Sequence, residues 1–183
     1  MLFRSWNRIA GLPVVNAGYS GIWTEALGAR LSRLLAVTKP SIAVLLVGTN
    51  DAKKGQGESE LAAVARHYEH LVGILKSAGV PTILITPPPV ESGKRLTGFY
   101  SPAAMAHLAQ MIRQAGEEAG LAVLDLHLAL RDGQELARTG ATTDGVHLSP
   151  AAYELLRDML ERDVARLKTF SGHQGSATPS CSA

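Results

Sequence analysis

Short runs of apolar, β-rich residues alternate along the chain with longer segments whose apolar positions recur every three or four places. The short runs are residues 14–15, 42–47, 82–86 and 122–126. Unbroken apolar runs of this length predict strands buried on both faces, and their alternation with helical segments predicts βαβ units around a parallel sheet. Residues 25–35 carry the first helical pattern. Residues 58–78 carry the second, with Leu61, Val64, Ala65, Tyr68, Leu71, Val72 and Leu75 on one face. The third covers residues 102–119. The second and third end near Gly79 and Gly120, where a left-handed C-terminal residue is expected. The last helix starts with Ser149 as N-cap and Pro150 at its first position, and its stripe is Ala152, Leu155, Leu156, Met159, Leu160, Val164 and Leu167. Residues 171–183 are poor in hydrophobes and are expected to be disordered. Residues 87–100 form a loop long for an α/β connection, following a strand's carboxyl end, where open sheets bind ligands. That loop is expected to set substrate preference.

Composition narrows the possibilities. With 183 residues and 46% hydrophobic content, the chain can bury one sizeable core and is read as a single domain over residues 1–170. The formal net charge of +2 comes from scattered Lys and Arg rather than a basic stripe with aromatic platforms, so nucleic acid is not expected as a partner. The single cysteine, Cys181, excludes a disulfide framework and a cysteine metal cluster. No apolar run approaches the roughly 18–20 residues that span a bilayer, and residues 1–10 lack the apolar core of an export signal. The sequence as written is therefore expected to be cytoplasmic, with no membrane partner; oligomeric state is not legible.

Three segments carry candidate chemistry. In Asp144-Gly-Val-His147, an acid three residues before a histidine on a tight loop can accept the Nδ1 proton and leave Nε2 free as a base. A surface loop or a helix-capping segment accounts for the same residues. Gly48-Thr-Asn50-Asp51 follows a strand run directly, so Asn50 can donate to a developing oxyanion; a turn with a helix cap is the alternative. Asn16-Ala-Gly18-Tyr-Ser20-Gly21 follows residues 14–15 similarly, and Gly21 can present a backbone N–H to the same oxyanion. It also suits a phosphate-binding turn, though no G-x-G-x-x-G and no Walker lysine is present.

Taken together and in this order, these segments resemble the SGNH (GDSL-type) hydrolases, whose blocks contain Ser, Gly, Asn and His. NAGYSG is similar to the second block, GTND to the third and DGVHLSP to the last. The resemblance runs from about Trp6 into the final helix. It implies Gly21 and Asn50 as oxyanion donors, His147 as the base and Asp144 as its partner. ILITPPP at residues 83–89, with Leu124-Asp-Leu126, is also similar to the isoamyl-acetate-hydrolysing branch. The implied fold is a three-layer α/β/α sandwich on a flavodoxin-like parallel sheet. The implied activity is hydrolysis of short acyl or acetyl esters, with a small-molecule ester as substrate and neither metal nor organic cofactor.

The family's first block, a strand ending in Gly-Asp-Ser, has no counterpart in this sequence. Ser5 stands beside Trp6 in a stretch that resembles the connection after that block, and Ser20 lies in the oxyanion loop, so neither is expected to be the nucleophile. The expectation is a sheet lacking its first strand, residues 14–17 and 42–47 flanking a gap, a nucleophile upstream, and a chain almost inactive by itself. A non-catalytic acyl- or carbohydrate-binding protein is the alternative, and a flavodoxin-like nucleotide binder a third, which Asp51 and Asp144 argue against.

The remaining polar residues read as ordinary surface. His67 and His70 stand three apart on one helix, a metal-ligand spacing, but no third ligand accompanies them. His127 is expected in a loop or cap, and His107 and His173 have no partners at a useful spacing. Lys53, Lys54, Lys94 and Arg95 are expected as ordinary solvated charge, with the rim of the cleft as the alternative.

Overall fold

The computed structural model describes residues 6–53, 55 and 57–173. Its centre is a parallel sheet of three strands in the order β3 (Ala43–Leu46), β4 (Thr82–Ile85) and β5 (Ala122–Leu124). Helix α2 (Glu58–Ser77) connects the first pair and α3 (Pro102–Ala119) the second. Alternation on β4 sorts the core. Leu84 packs with Leu45, Tyr68, Leu71, Leu75 and Ile112 beneath α1 (Thr24–Thr38), α2 and α3. Ile83 and Ile85 point the other way, into Leu156, Leu160 and Val164 of α5 (Pro150–His173). Helices thus cover both faces, giving the three expected layers.

The ends of the helices follow from local chemistry. Ser101 and Ser149 cap α3 and α5 through their hydroxyls, accepting from Ala104 N at 3.1 Å and Ala152 N at 3.2 Å. At the start of α2 the Glu60 carboxylate accepts from Gly57 N–H at 2.9 Å. Gly79 and Gly120, with φ of 64° and 67°, take the left-handed conformation that stops α2 and α3.

Three expectations need correction. Residues 14–17 form no strand, and Val15 is 68% exposed. A strand persists only where a partner supplies hydrogen bonds and a face to bury. The nearby hairpin is instead β1 (Arg8–Ile9) with β2 (Leu12–Pro13), so β3 ends the described sheet and faces no gap. The run ending at residue 126 breaks after Leu124, because the Asp125 side chain accepts from Leu128 N at 3.0 Å and starts a short helix, α4 (Leu126–Leu130). His127 therefore lies inside a helix and is buried. Finally, the stretch after β4 is not a loop open to solvent from its start: residues 87–91 are buried, and exposure begins at Ser92. The helix α5 reaches His173, and residues 174–183 with Cys181, Lys54 and Ser5 lie outside the described residues.

Candidate active site

All the singled-out segments lie at the carboxyl edge of the sheet. Residues 48–53 leave β3 there and turn through a short 3₁₀ segment, Asn50–Ala52. The Asn50 side chain donates to the Ile22 carbonyl at 3.0 Å, and the Asp51 carboxylate accepts from Thr24 N–H at 3.2 Å with each oxygen. These bonds draw the start of α1 against the end of β3. They place Asn50 beside Gly21, whose φ of 74° is a left-handed conformation open to glycine at little cost. One Asn50 N–H is committed to Ile22, leaving the second for another acceptor. Burial pushes the Asp51 carboxyl up, against the two bonds from Thr24.

The Asp144–His147 turn arrives on the same edge from the far side of the sheet. Ala52, Val90, Tyr100 and Val146 share one apolar cluster, which joins it to the Asn50 segment. Ser101 N–H donates to the Ala52 carbonyl at 2.9 Å and Leu96 N–H to the Asp144 carbonyl at 2.8 Å, so residues 96–101 bridge the two.

Within the turn, Asp144 Oδ2 lies 2.8 Å from His147 Nδ1. Its Oδ1 accepts from the backbone N–H of His147 at 3.0 Å and of Val146 at 3.3 Å. Burial works against the charged form of Asp144, but the bonds from His147 and Val146 outweigh it and hold the carboxyl below its usual range. An ionised carboxylate only accepts, so in the neutral imidazole Nδ1 carries the proton and Nε2 the lone pair. The His147 side chain is 68% exposed. The ring is bonded through Nδ1 to Asp144, and the Ser20 hydroxyl makes no bond to Nε2. Arg95 stands 3.5 Å from Asp144 on the solvent side, and Lys53 stacks over the Trp23 ring at 5.1 Å. Lys94, expected as solvated charge, is instead paired with Glu91 at 3.0 Å.

Other predicted residues fall elsewhere. His67 and His70 remain on α2, and among the described residues no three His, Cys, Asp or Glu side chains gather to hold a metal. No described helix is long and apolar enough to cross a membrane. His127 Nδ1 lies 3.2 Å from the Pro87 carbonyl, while burial pushes its pKa down. Glu91 escaped sequence reasoning. It is buried beside the Asp144 turn with its carboxylate filled by donors 49–51 residues away, so no local pattern marks it.

Among solved structures, the chain is similar to the lipase/acylhydrolase from Enterococcus faecalis, at 28% identity over 83% of this chain and 75% of that one, with a TM-score of 0.69. It shares its fold with an acetyl xylan esterase, AlAXEase, at 21% identity over 81% and 79%, TM-score 0.67. It also shares it with a catalytic serine-to-alanine mutant of an acetylxylan esterase from Geobacillus stearothermophilus, at 23% identity over 84% and 73%, TM-score 0.67. A search of curated proteins by sequence finds no match. Residues 1–155 match the GDSL-like Lipase/Acylhydrolase family. By this match, and in keeping with its parallel sheet, the chain belongs to that family of hydrolases acting on ester bonds.

Proposed function

We propose that this chain supplies the base and the oxyanion donors of a serine ester hydrolase acting on short acyl esters, acetyl esters among them. The observation that carries the proposal is the 2.8 Å contact between Asp144 Oδ2 and His147 Nδ1, on the sheet edge that also holds Asn50 and Gly21. A histidine so fixed presents Nε2 as the only basic nitrogen, and a nearby N–H pair answers the charge that develops when an ester carbonyl is attacked.

In this mechanism a serine hydroxyl attacks the carbonyl as His147 Nε2 takes its proton, and Asp144 stabilises the imidazolium. The Gly21 N–H and the free Asn50 N–H receive the oxyanion. His147 then protonates the departing alcohol, and water repeats the sequence on the acyl-enzyme. The serine belongs to a strand ending in Gly-Asp-Ser, a tripeptide that the 183-residue sequence does not contain. We place that strand on the open edge of β3, where Val44 is 45% exposed although it lies in a parallel sheet. By itself the 183-residue chain is then almost inactive. Among the relatives, the serine-to-alanine change described as a catalytic mutant supports a serine nucleophile, and the acetyl xylan esterases support acetyl esters. The exposed end of the loop, Ser92 to Phe99, is placed to touch the substrate, and with it the apolar ring of Phe99.

A fluorophosphonate probe tests the assignment. A chain extended through a Gly-Asp-Ser strand should be labelled at that serine, and the 183-residue chain should not be labelled. Labelling of Ser20 in either protein would mean that the nucleophile lies in the oxyanion loop. An extended, folded and unlabelled protein would favour a non-catalytic acyl- or carbohydrate-binding role.

A further inference from the structure

Glu91 stands where the chain leaves the buried run after β4, and the residue is 4% exposed. Both carboxylate oxygens are occupied. Oε1 accepts from Gly140 N–H at 2.8 Å; Oε2 accepts from Thr142 N–H and from the Thr142 hydroxyl, each at 2.7 Å. Lys94 Nζ lies 3.0 Å from Oε2 and also donates to the Thr142 carbonyl. With both oxygens filled and the residue buried, Glu91 is not a proton donor or acceptor for a ligand.

Its bonds lead to the candidate dyad. The Thr142 hydroxyl, donating to Glu91, accepts from Gly145 N–H at 3.0 Å. The backbone of Glu91 holds the same residue from the other side, its N–H donating to the Gly145 carbonyl at 2.9 Å. Thr97 completes the clamp by donating its hydroxyl to the Glu91 carbonyl at 2.6 Å. Gly145 itself has a φ of 114°, and a Cβ there would come within 2.9 Å of both Thr97 N and Thr97 Oγ1. The peptide between Asp144 and Val146 is thereby fixed from both sides, in a conformation and a space that suit glycine.

We infer that Glu91 is a positioning residue for the Asp144–His147 pair, acting through Thr142 and Gly145 to keep Asp144 Oδ2 against His147 Nδ1 with Nε2 facing outward. The inference rests on the proposed acid–base role of that pair. It makes a chemical demand that shape alone does not satisfy, because every group facing the carboxylate is a donor. Glutamine has the same outline, yet whichever way its amide is turned, one NH₂ faces a donor and one link is lost.

The test reads the tautomer of His147 rather than turnover, using ring ¹⁵N shifts of the 183-residue chain at a pH where the imidazole is neutral. In the unsubstituted chain the Nδ1–H form should dominate. Glu91→Gln should move more than half of the population to the Nε2–H form, approaching the Asp144→Ala control, while circular dichroism stays unchanged. Thr142→Val removes only the hydroxyl relay and should shift the population in the same direction by less. A folded Glu91→Gln chain that keeps the Nδ1–H form overturns the inference. If Glu91→Gln does not fold, an unshifted Thr142→Val overturns it, and loss of fold in both assigns Glu91 to general stability and overturns it equally. The two readings separate cleanly. An extended protein without esterase activity would remove the proposed function and leave the tautomer result standing, whereas an unshifted tautomer would remove only the positioning role.

Discussion

At the scale of single residues, the candidate dyad is made by one carboxylate performing two tasks. Asp144 Oδ1 builds the turn by accepting backbone N–H groups, and Oδ2 orients the ring that the turn carries. In the extended enzyme, Asp144→Asn should therefore leave the fold intact and lower turnover on the order of 10⁴-fold, as the wrong tautomer does in serine triads. Steady-state kinetics with p-nitrophenyl acetate checks this. Glu91 makes a second prediction. Burial raises the cost of its charge, but the bonds from Gly140, Thr142 and Lys94 prevail and hold the carboxyl at about 2 against an ordinary 4.5. A depressed folded value gives stability that is complete above the unfolded value and lost as the pH falls toward the folded one. A shift of this size is worth about 3 kcal/mol. Urea unfolding should thus show the unsubstituted chain losing stability between about pH 5 and pH 3 more steeply than Glu91→Gln; equal slopes would contradict it. Asp144 and His147 were legible in the sequence because three residues of tight loop keep them in reach of each other. Glu91 was not, because Gly140 and Thr142, which supply three of its bonds, lie 49 and 51 residues further along the chain.

At the scale of elements, helices read well and short strands did not. The periodic stripes of α2 and α3 place Leu71 and Ile112 in the core, and the third predicted helix, residues 102–119, matches α3. Hairpin β1–β2 left no clear signal. Its turn, Ala10-Gly11, has φ of 47° and 78°, a conformation usually marked by Asn-Gly. Here α5 holds it instead: Glu161 accepts from Ala10 N–H at 2.5 Å and Lys168 donates to the Ala10 carbonyl at 2.8 Å. Propensity and packing also part company inside α3. Gly116 is a poor helix former, yet a Cβ there would lie 2.1 Å from Val123 Cγ2 on β5, so the helix rests directly on the sheet. Gly116→Ala should consequently destabilise the chain by about 1–3 kcal/mol despite better helix propensity. Combining it with Val123→Ala should recover part of the loss. Urea midpoints of the single and double variants decide this, and a stabilised single variant would show that the contact yields freely.

At the scale of the whole molecule, a parallel sheet covered on both faces was predictable from the alternation of runs, whereas the division that puts α1, α2 and α3 on one face and α5 on the other was not. Nor could the pattern convey the fate of residues 14–17, since a strand's existence depends on its neighbour. The edge of β3 is the consequence. Its outward N–H and C=O groups have no strand partner among the described residues, and Val44 is half exposed there. Such an edge is a template for one more strand. The outward-pointing amides of β3 should therefore exchange rapidly in the 183-residue chain and become protected in a chain extended through a Gly-Asp-Ser strand. Equal protection in the two proteins would place the added strand elsewhere.

On the proposed function, His147 is the base for a serine supplied by that added strand. That role is tested most directly by comparing turnover of p-nitrophenyl acetate and butyrate by the 183-residue chain, the extended chain and extended His147→Ala. Removing the nucleophile from a serine triad costs roughly a millionfold in turnover. Activity is expected only in the extended chain with His147 intact. Robust hydrolysis by the 183-residue chain, abolished by His147→Ala, would contradict this expectation and show that another side chain attacks the ester.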